Sequence, residues 1–410
     1  MRRILYVHHG KGIGGAPLSL LYLIRGLDRS RYEPTVLCIH ESEAAELFRR
    51  EGIETIVDAR LHDFSHTNVL WYPWWQLPKL LLRAWQWPWT LFRARGLLRG
   101  GAWDAVHLNT STLTAFGFAA QAEGLRVIWH IREPLHPGYL GLRRALIRRA
   151  IYRCADLVLP ICRHDAAQLR PSPRIHVVYN FIDFAQFDAA LDGGGIREAL
   201  GIAADAPVVL MLGGINPIKG TREFVAAALE VLRQFPAAVF LVAGAVPDDG
   251  FRNRISGQRV YRDIVRSLIP ETMSASIRFL GVRNDIPNLL AASDILCFPS
   301  TVPHFARPVI EASAMGVPVV ASDLGGPQEL VRDGETGLLV PAGDAAALAA
   351  GIARLLGDPE RATAMGRAGI LFAREHFDAA RNTAEVLRLY DRLFEEDRKS
   401  TRLNSSHVSQ

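Results

Sequence analysis

The stretch "PVVLMLGGINPIKGTREFVAAALEVL", residues 207–232, carries the pattern that decides the fold. A short apolar run ends in Gly213 and Gly214, and a stretch with helical periodicity begins after Gly220. A strand, a glycine turn and a helix in this order are typical of an α/β fold with parallel strands. The turn presents Lys219 at a helix start, where a cation suits a bound diphosphate. A lysine in a solvent-exposed loop is the alternative.

Short strands alternate with helical stretches twice along the chain. The first set is "RILYVHH", "TVLCIH", "ETIVDA", "DAVHLN", "RVIWHI" and "DLVLPI"; the second is "PVVLMLGG", "AVFLVAGA", "SIRFLG", "DILCFPS", "PVVASD" and "GLLVPAGD". A chain of 410 residues suggests two domains. We expect two Rossmann-like, doubly wound parallel sheets facing a central cleft, with ligands at the carboxyl ends of the strands.

The domain boundaries follow from these two sets of strands. We predict an N-terminal domain over 1–180, a C-terminal domain over 181–375, and a helix over 376–396 that packs back toward the first domain. Residues 397–410, "DRKSTRLNSSHVSQ", resemble the translation of a common sequencing adapter. We predict that this tail is not native and exclude it from reasoning about the fold. A natural disordered tail is the alternative.

Composition limits the classes of partner. A hydrophobic content of 49% with 22% charged residues indicates a folded protein, and a net charge of +5 suggests anionic partners. No Lys/Arg-rich tail or aromatic RNA-binding motif occurs, which argues against nucleic acid. The four cysteines have no CxxC spacing, which favours a protein that resides in the reducing cytosol. The apolar run in "MRRILYVHHG" is too short for a signal peptide, so we expect none. Nowhere do about 18 apolar residues run together, so no bilayer span is predicted.

Two stretches follow strands and suit phosphate or ribose groups. "GKGIGGA" (10–16) has the spacing of a phosphate-binding glycine loop, and a dinucleotide dehydrogenase is its competing interpretation. That class needs an acid after the second strand, where Glu41 is slightly late. "FARPVIEA" (305–312) puts Pro308 in a first helical turn and Glu311 one turn further, where a carboxylate can accept two hydrogen bonds from a ribose diol.

At residues 207–344 the chain resembles the donor-binding half of the retaining, GT-B-fold glycosyltransferases of family 4. The matching pieces are "GGINPIKG", "IRFLGVRNDIPNLLAASDILCFPS", "RPVIEASAMGVPVVASDLGGPQELV" and "DGETGLLVPAGD". The first half agrees more loosely, through "GIGGA", "DAVHLNTS", "VIWHIREP" and "VVYNFIDFAQF". The resemblance covers nearly the whole chain up to about Glu396.

The resemblance implies roles for individual residues. Glu311 resembles the glutamate that holds the nucleotide ribose, Lys219 the lysine that neutralises the donor diphosphate, and His130 the histidine that contacts the transferred sugar. For His130 alone, a strand-end histidine bonded to backbone is the alternative. Gly14 and Gly15 resemble the loop that approaches the donor phosphate and the acceptor. The further donor-binding residues that it implies are Gly213, Gly281, Arg283, His304, Phe305, Ala306 and Arg307.

Two positions depart from the family pattern. Gly214 stands where the family commonly has an arginine that acts with the lysine, and Pro303 where it commonly has a glutamate that contacts sugar hydroxyls. The loss of one charge-assisted contact costs about 1.5–3 kcal/mol, which weakens a site without abolishing it. We expect Arg307 to supply the missing cation and His304 to contact the sugar hydroxyls.

A Trp-rich segment lies in the first half. Residues 70–99 hold six of the eight tryptophans, among them Trp71, with lysine and arginine between them. This composition is typical of a segment at a membrane surface. The alternative is a covering helix pair, broken at Pro88, with its tryptophans buried. The residues assigned to acceptor or membrane contact are Trp74, Trp75, Trp85 and Arg132.

The predicted function is transfer of a sugar from a nucleotide-sugar donor to a saccharide or lipid-linked acceptor, as in cell-envelope polysaccharide or glycolipid synthesis. Retention of configuration is implied by the family alone. We expect no catalytic metal and no cofactor besides the donor, because protein cations can stabilise the departing diphosphate. We expect a cytoplasmic protein at the inner face of the membrane. A nucleotide-dependent oxidoreductase, a GT-B sugar-nucleotide epimerase or hydrolase, and a non-catalytic donor-binding protein are the alternatives.

Overall fold

The computed structural model describes residues 1–65 and 72–407, without the side chains of Arg252 and of 396–407. Trp71 therefore lies outside the described residues. The chain forms two compact units. The first comprises Met1–Phe181 and the chain from Ala379 onward, and the second comprises Ile182–Asp378.

The first unit is built on a parallel sheet of six strands with helices between them. The strands are β1 (Arg2–His8), β2 (Tyr32–Cys38), β3 (Glu54–Val57), β4 (Ala105–Leu108), β5 (Arg126–Ile131) and β6 (Leu157–Pro160). The helices are α1 (Gly15–Arg25), α2 (Glu43–Arg50), α3 (Leu77–Gly100), α4 (Thr114–Ala122), α5 (Leu142–Cys154) and α6 (Arg163–Ala166). The sheet order is β3-β2-β1-β4-β5-β6.

The second unit repeats this architecture. Its strands are β7 (Val208–Leu212), β8 (Val239–Ala243), β9 (Ile277–Gly281), β10 (Ile295–Phe298), β11 (Val319–Ser322) and β12 (Gly337–Val340). Its helices are α7 (Gly194–Ala199), α8 (Thr221–Val231), α9 (Phe251–Ile255), α10 (Gln258–Ser267), α11 (Ile286–Ala291), α12 (Arg307–Ala314), α13 (Pro327–Leu330), α14 (Ala345–Leu356) and α15 (Pro359–Phe377). The order is β12-β11-β10-β7-β8-β9, and every pair is parallel.

The last helix, α16 (Ala379–His407), belongs to the first unit. Val386, Leu389, Tyr390, Leu393 and Phe394 are buried in the same core cluster as Ile4 and Tyr6 of β1. The helix continues through most of the tail that the sequence assigns to an adapter.

Both sheets have the same strand order when each is numbered from its own first strand. In such a sheet the order reverses at one point, and ligands bind at the carboxyl ends of the two strands that flank it. These strands are β1 and β4 in the first unit, and β7 and β10 in the second. The predicted α/β class with two doubly wound parallel sheets is confirmed, and its topology makes one strand edge in each unit the candidate place of a site.

Glycines set the shape of that edge in the second unit. Gly214 has φ +66°, and a Cβ there would lie 2.3 Å from the Ala245 carbonyl oxygen. Gly220 has φ +75°, and a Cβ there would lie 1.8 Å from the Pro299 carbonyl oxygen. The turn after β7 is therefore pressed against the loops that follow β8 and β10, and side chains at these two positions would force them apart.

The Trp-rich segment differs from the predicted helix pair. Helix α3 runs without a break from Leu77 to Gly100 and contains Pro88 in its interior. Three of its arginines form ion pairs inside the unit: Arg93 with Asp58, and Arg95 and Arg99 with Glu123. These pairs and the contacts of α3 with α4 hold the helix on the sheet, so the proline is tolerated within one helix.

Candidate functional site

In the second unit, the loops after β7 and β10 bring Lys219 and His304 into contact. The Lys219 ammonium lies 2.7 Å from Nε2 of His304 and 5.6 Å from the centre of the Phe298 ring. Burial lowers the pKa of Lys219 to about 8. The two side chains come from positions 85 residues apart, and they meet because β7 and β10 are neighbours at the point where the strand order reverses.

The contacts of His304 indicate which of its nitrogens carries hydrogen. Nδ1 lies 3.0 Å from the carbonyl oxygen of Val302 and 3.1 Å from the hydroxyl of Ser300. A carbonyl can only accept, so we assign the hydrogen of the neutral ring to Nδ1. Nε2 then accepts a hydrogen bond from the Lys219 ammonium. The lysine is thus held by the histidine at the carboxyl edge of the sheet.

Glu311 and Arg307 form the second pair of this edge. Arg307 Nε donates to Glu311 Oε1 at 2.7 Å within the first turns of α12, and both side chains are about nine-tenths buried. Burial raises the pKa of Glu311, and the Arg307 charge opposes that shift. Arg307 is thus paired with Glu311, and its expected role as the replacement for the missing arginine stays a prediction.

The remaining predicted donor-binding residues lie on neighbouring loops of this edge. Gly281 ends β9 with φ +70°, and its carbonyl accepts a hydrogen bond from Gly244 N at 2.8 Å. Arg283 forms an ion pair with Asp285 at 2.5 Å. Ala306 is fully buried immediately before α12 and is followed by Arg307. Gly213 and Phe305 lie in the turns after β7 and β10, where Gly213 faces the Lys219 side chain.

In the first unit, His130 belongs to a buried chain of hydrogen bonds. His130 Nδ1 lies 3.1 Å from His107 Nε2, and His107 Nδ1 lies 2.5 Å from the Tyr390 hydroxyl on α16. Burial, reinforced by the positive charge of Arg132, lowers the pKa of both histidines well below the usual value. Both rings are therefore neutral, with one N–H each.

The hydrogen positions in this chain follow from Arg132. Its guanidinium can only donate, and Nη2 lies 3.4 Å from His130 Nδ1, so that nitrogen is an acceptor. His107 then donates from Nε2 and accepts the Tyr390 O–H at Nδ1. The hydrogen of His130 is left on Nε2, which is buried and has no hydrogen-bond partner among the described residues. His130 thus keeps a fixed N–H donor that no described residue accepts from.

Arg132 has a different place from the one predicted. It is 9% exposed and donates to Asn109 Oδ1 at 2.5 Å and to Asn180 Oδ1 at 2.8 Å. Asn109 also contacts His8 Nδ1 at 3.1 Å. This buried network contradicts a membrane contact for Arg132. Sequence reasoning missed Asn109, His107 and Tyr390, although the polar residues inside the apolar strand "DAVHLN" are a signal for the first two.

The glycine loop of the first unit leaves backbone accessible. Gly14 precedes α1 in an extended conformation, and a Cβ built there would meet no atom within 4 Å. Gly15 is the first residue of α1. Glu41, the acid considered for a dinucleotide site, pairs with Arg49 at 2.5 Å on the surface. The loop suits an incoming anion, and the acid of the competing interpretation is engaged elsewhere.

The tryptophans of α3 and of the turn before it are exposed. Trp74 is 75% exposed, Trp75 42%, Trp85 77% and Trp89 56%. Trp87 is different, because its Nε1 donates to Thr114 Oγ1 at 3.0 Å. The alternative with tryptophans buried against the sheet is therefore wrong for these four. None of the described helices has the length and apolarity needed to cross a bilayer.

Models of two glycosyltransferase families match this chain in succession. The model "Glycosyltransferase Family 4" matches residues 13–186, and the model "Glycosyl transferases group 1" matches 195–372. The alpha-maltose-1-phosphate synthase of Mycolicibacterium smegmatis is 31% identical over 290 residues, which are 64% of this chain and 71% of that protein. The chain belongs to the family-4, group 1 glycosyltransferases.

Other similar proteins share the family or the fold. The D-inositol 3-phosphate glycosyltransferase of Nocardia farcinica is 30% identical over 289 residues, 68% of this chain. The chain spans 59% of that protein and about half the length of several other curated relatives. The Anabaena protein HepE, solved with UDP and glucose, has a TM-score of 0.74 at 22% identity, with 95% of this chain and all of HepE covered. This likeness shows the GT-B fold.

The structure gives a physical account of this family-4 member's two departures. The backbone at Gly214 leaves no room for an arginine side chain, because Gly244 and Ala245 lie against it. Pro303 packs on Gly325, where a Cβ would meet the Pro303 Cα and Cβ at 2.9 Å. Gly326 is packed in the same way on His304 and Phe305. These contacts fix the loop so that His304 meets Lys219.

Proposed function

We propose that this protein transfers a sugar from a nucleotide-sugar donor to a saccharide or lipid-linked acceptor, with retention of configuration. The observation that carries the proposal is the pairing of Lys219 with His304, and of Arg307 with Glu311, at the strand edge where such sheets bind ligands. The lysine suits the diphosphate, and the Glu311 carboxylate suits the ribose diol. HepE, which shares the fold, binds UDP and UDP-glucose.

The same residues allow a role in the reaction. As the glycosidic bond to phosphate breaks, negative charge grows on the leaving diphosphate, and a cation in contact with it lowers the barrier. We propose that Lys219 takes that role and that the reaction needs no metal ion. We propose that in the first domain the His130 Nε2–H binds a sugar hydroxyl. The substrate then makes polar contacts that fix its orientation.

We further propose that the acceptor carries a lipid and that the protein works at the cytoplasmic face of a membrane, in cell-envelope polysaccharide or glycolipid synthesis. The support is the exposed indole surface of Trp74, Trp75, Trp85 and Trp89 in the acceptor-binding domain. Three of the arginines nearby are neutralised by acids of the same domain. We therefore assign the contact to the tryptophans more than to basic residues.

A panel of UDP-, GDP-, ADP- and dTDP-sugars in a thermal-shift assay tests the donor site. At least one should raise the melting temperature of the wild type. Glu311→Ala should weaken the binding of that sugar by about tenfold, because one charge-assisted contact is lost, and the rise in melting temperature should be correspondingly smaller. Glu230→Ala, which removes an exposed glutamate of α8, is the matched control. No stabilisation by any nucleotide sugar would refute the proposal.

A non-catalytic donor-binding protein is the second candidate, and Pro303 favours it because the family's sugar-binding glutamate is absent there. Incubation of the stabilising nucleotide sugar with extracted lipids separates the two candidates. Formation of a glycosylated lipid together with free nucleoside diphosphate supports transfer. Binding with no release of nucleoside diphosphate supports the second candidate, and free sugar without glycosylated lipid indicates a hydrolase.

A further inference from the structure

The residues around Lys219 offer little positive charge to a bound diphosphate. A nucleoside diphosphate brings about two to three negative charges, since phosphate groups are ionised near neutral pH. Lys219 supplies one positive charge at this edge, and Gly214 supplies none. The Arg307 charge is engaged by Glu311 at 2.7 Å. A diphosphate against Lys219 therefore carries more negative charge than the lysine balances.

His304 is the titratable group in contact with Lys219. Its Nε2 lies 2.7 Å from the ammonium, so an anion that binds Lys219 lies within a few ångströms of the imidazole. Three further groups that the structure places against the ring are neutral: the Val302 carbonyl, the Ser300 hydroxyl and the Phe298 ring, whose centre is 5.2 Å away. The nearest ion pair along the chain, Arg307 with Glu311, is balanced within itself.

We propose that His304 takes up a proton when the donor diphosphate binds and becomes the second cationic contact of the diphosphate, in the role that Gly214 leaves open. This inference rests on the proposed donor site and adds a residue to it. The proton comes from solvent and is placed on Nε2. The Lys219 ammonium, which donates to Nε2 in the empty site, turns its hydrogen bond to a phosphate oxygen.

The surroundings of the ring suit this change. The Nδ1–H bond to the Val302 carbonyl is available in both protonation states, so it holds the ring in one orientation. The contact with Phe298 supports the same orientation. A nearby anion favours the charged imidazole, and the unperturbed pKa of an imidazole is close enough to neutral for a modest rise to matter. The donor site would then gain affinity as the pH falls through neutrality.

Isothermal titration calorimetry with UDP and GDP as probes tests the proposal. Titrations at about pH 7, near the ordinary imidazole pKa, in two buffers with different ionisation enthalpies give the number of protons taken up per nucleotide. His304→Gln keeps a hydrogen-bond acceptor near the position of Nε2 but cannot become charged. We expect the wild type to take up about half a proton more than this variant and to bind about tenfold more tightly, as one charge-assisted contact predicts.

The difference in affinity should grow toward about pH 6.5 and shrink toward about pH 8.5, whereas a merely structural role for His304 would give the same loss at every pH. His376→Gln, at the end of α15, is the control for a second-domain histidine outside this edge. The ¹⁵N shift of the His304 Nε2 in wild-type protein is a second measurement that needs no variant. It should move toward the protonated value when UDP is added.

Three outcomes decide the matter. A larger proton uptake by the wild type together with the pH-dependent affinity supports the role of His304. Equal proton uptake in wild type and His304→Gln overturns it, while a Lys219→Ala variant that no longer binds UDP shows that the donor site itself stands. Failure of the wild type to bind any nucleoside diphosphate overturns the proposed function and this inference together.

Discussion

The two domains share one strand order but form the functional edge in different ways. In the first domain the edge is filled by buried side chains that bond to one another, from Tyr390 through His107 to His130. In the second domain the edge is shaped by glycine turns, on which Lys219 and His304 meet. The difference indicates that topology fixes the position of the candidate site, while the loops fix whether side chains or backbone define it.

Restoring the family arginine tests the backbone-defined edge and has the largest expected effect. Gly214→Arg should lower the free energy of unfolding of the second domain by more than about 3 kcal/mol, because a left-handed backbone costs about 1–2 kcal/mol and the contact with the Ala245 carbonyl adds to it. Urea denaturation measures the loss. We also expect no gain in UDP affinity.

Gly334→Arg is the matched control for that change. Gly334 has φ +76°, but a Cβ there would meet nothing within 4 Å. The free energy of unfolding of this variant should therefore fall only by the conformational cost of about 1–2 kcal/mol. Equal losses in the two variants would show that the close approach of Gly214 to Gly244 and Ala245 is unimportant.

Removal of Arg307 tests the charged pair of the second domain. Arg307→Ala leaves the buried Glu311 carboxylate without its partner. The free energy of unfolding should therefore fall by about 3 kcal/mol at about pH 8.5. The pKa of Glu311 is already raised by burial, and removal of the arginine raises it further. The native state then keeps a proton that the unfolded state releases, so stability falls as the pH rises above the unfolded pKa.

Unfolding by urea between about pH 5.5 and about pH 8.5 checks this dependence. Arg50→Ala is the control, because Arg50 and Glu46 have the same i, i+4 spacing on an exposed surface of α2. That variant should lose less than about 1 kcal/mol at every pH. A loss for Arg307→Ala that does not change with pH would contradict the further rise in the Glu311 pKa that removal of Arg307 should cause.

Tyr390→Phe tests the network of the first domain. It removes the hydroxyl that holds His107, so the His130 Nε2–H is no longer fixed and kcat should fall about tenfold with KM for the donor little changed. Stability should fall by about 1–2 kcal/mol. Tyr32→Phe is the control, because its hydroxyl bonds to Asp391. A loss of stability with unchanged kcat would leave Tyr390 a packing residue.

The smallest expected effect concerns the outer surface of the first domain. The double variant Trp85→Ser, Trp89→Ser should bind vesicles of phosphatidylcholine and phosphatidylglycerol about tenfold more weakly than wild type, because two exposed indoles are lost. Co-sedimentation measures the binding. Phe251→Ser removes an aromatic side chain, 78% exposed, from the second domain and should leave the binding unchanged. Equal binding by all three proteins would remove the membrane from the proposed function.

Much of the fold follows from the sequence. The sequence contains twelve short apolar runs that alternate with turns and helical stretches. They correspond to the twelve strands among the described residues. Parallel strands covered on both faces need such runs, and each run is followed by a connection long enough for a crossover helix. The spacing of "GGINPIKG" and "RPVIEA" likewise placed Lys219 and Glu311 at the starts of helices.

The pairings within the site could not be predicted in this way. Arg307 was expected to supply a cation to the diphosphate, and its ion pair with Glu311, one helical turn away, was not foreseen. Arg132 was assigned to the acceptor or membrane; its burial between Asn109 and Asn180 contradicts the membrane contact, and the acceptor contact stays a prediction. A charged side chain bonds to whatever lies within a few ångströms, and that set is unknown until the loops are placed.

The sequence by itself determined the two α/β domains, the family and the strand edges that carry the candidate site residues, because these depend on periodicity and on local turns. Only the tertiary structure decided that His304 meets Lys219 and that Tyr390 reaches His107 from the far end of the chain. Such contacts join residues 85 and 283 positions apart. They arise from sheet order and helix packing, which act over the whole domain, so the local sequence does not show which residue the partner is.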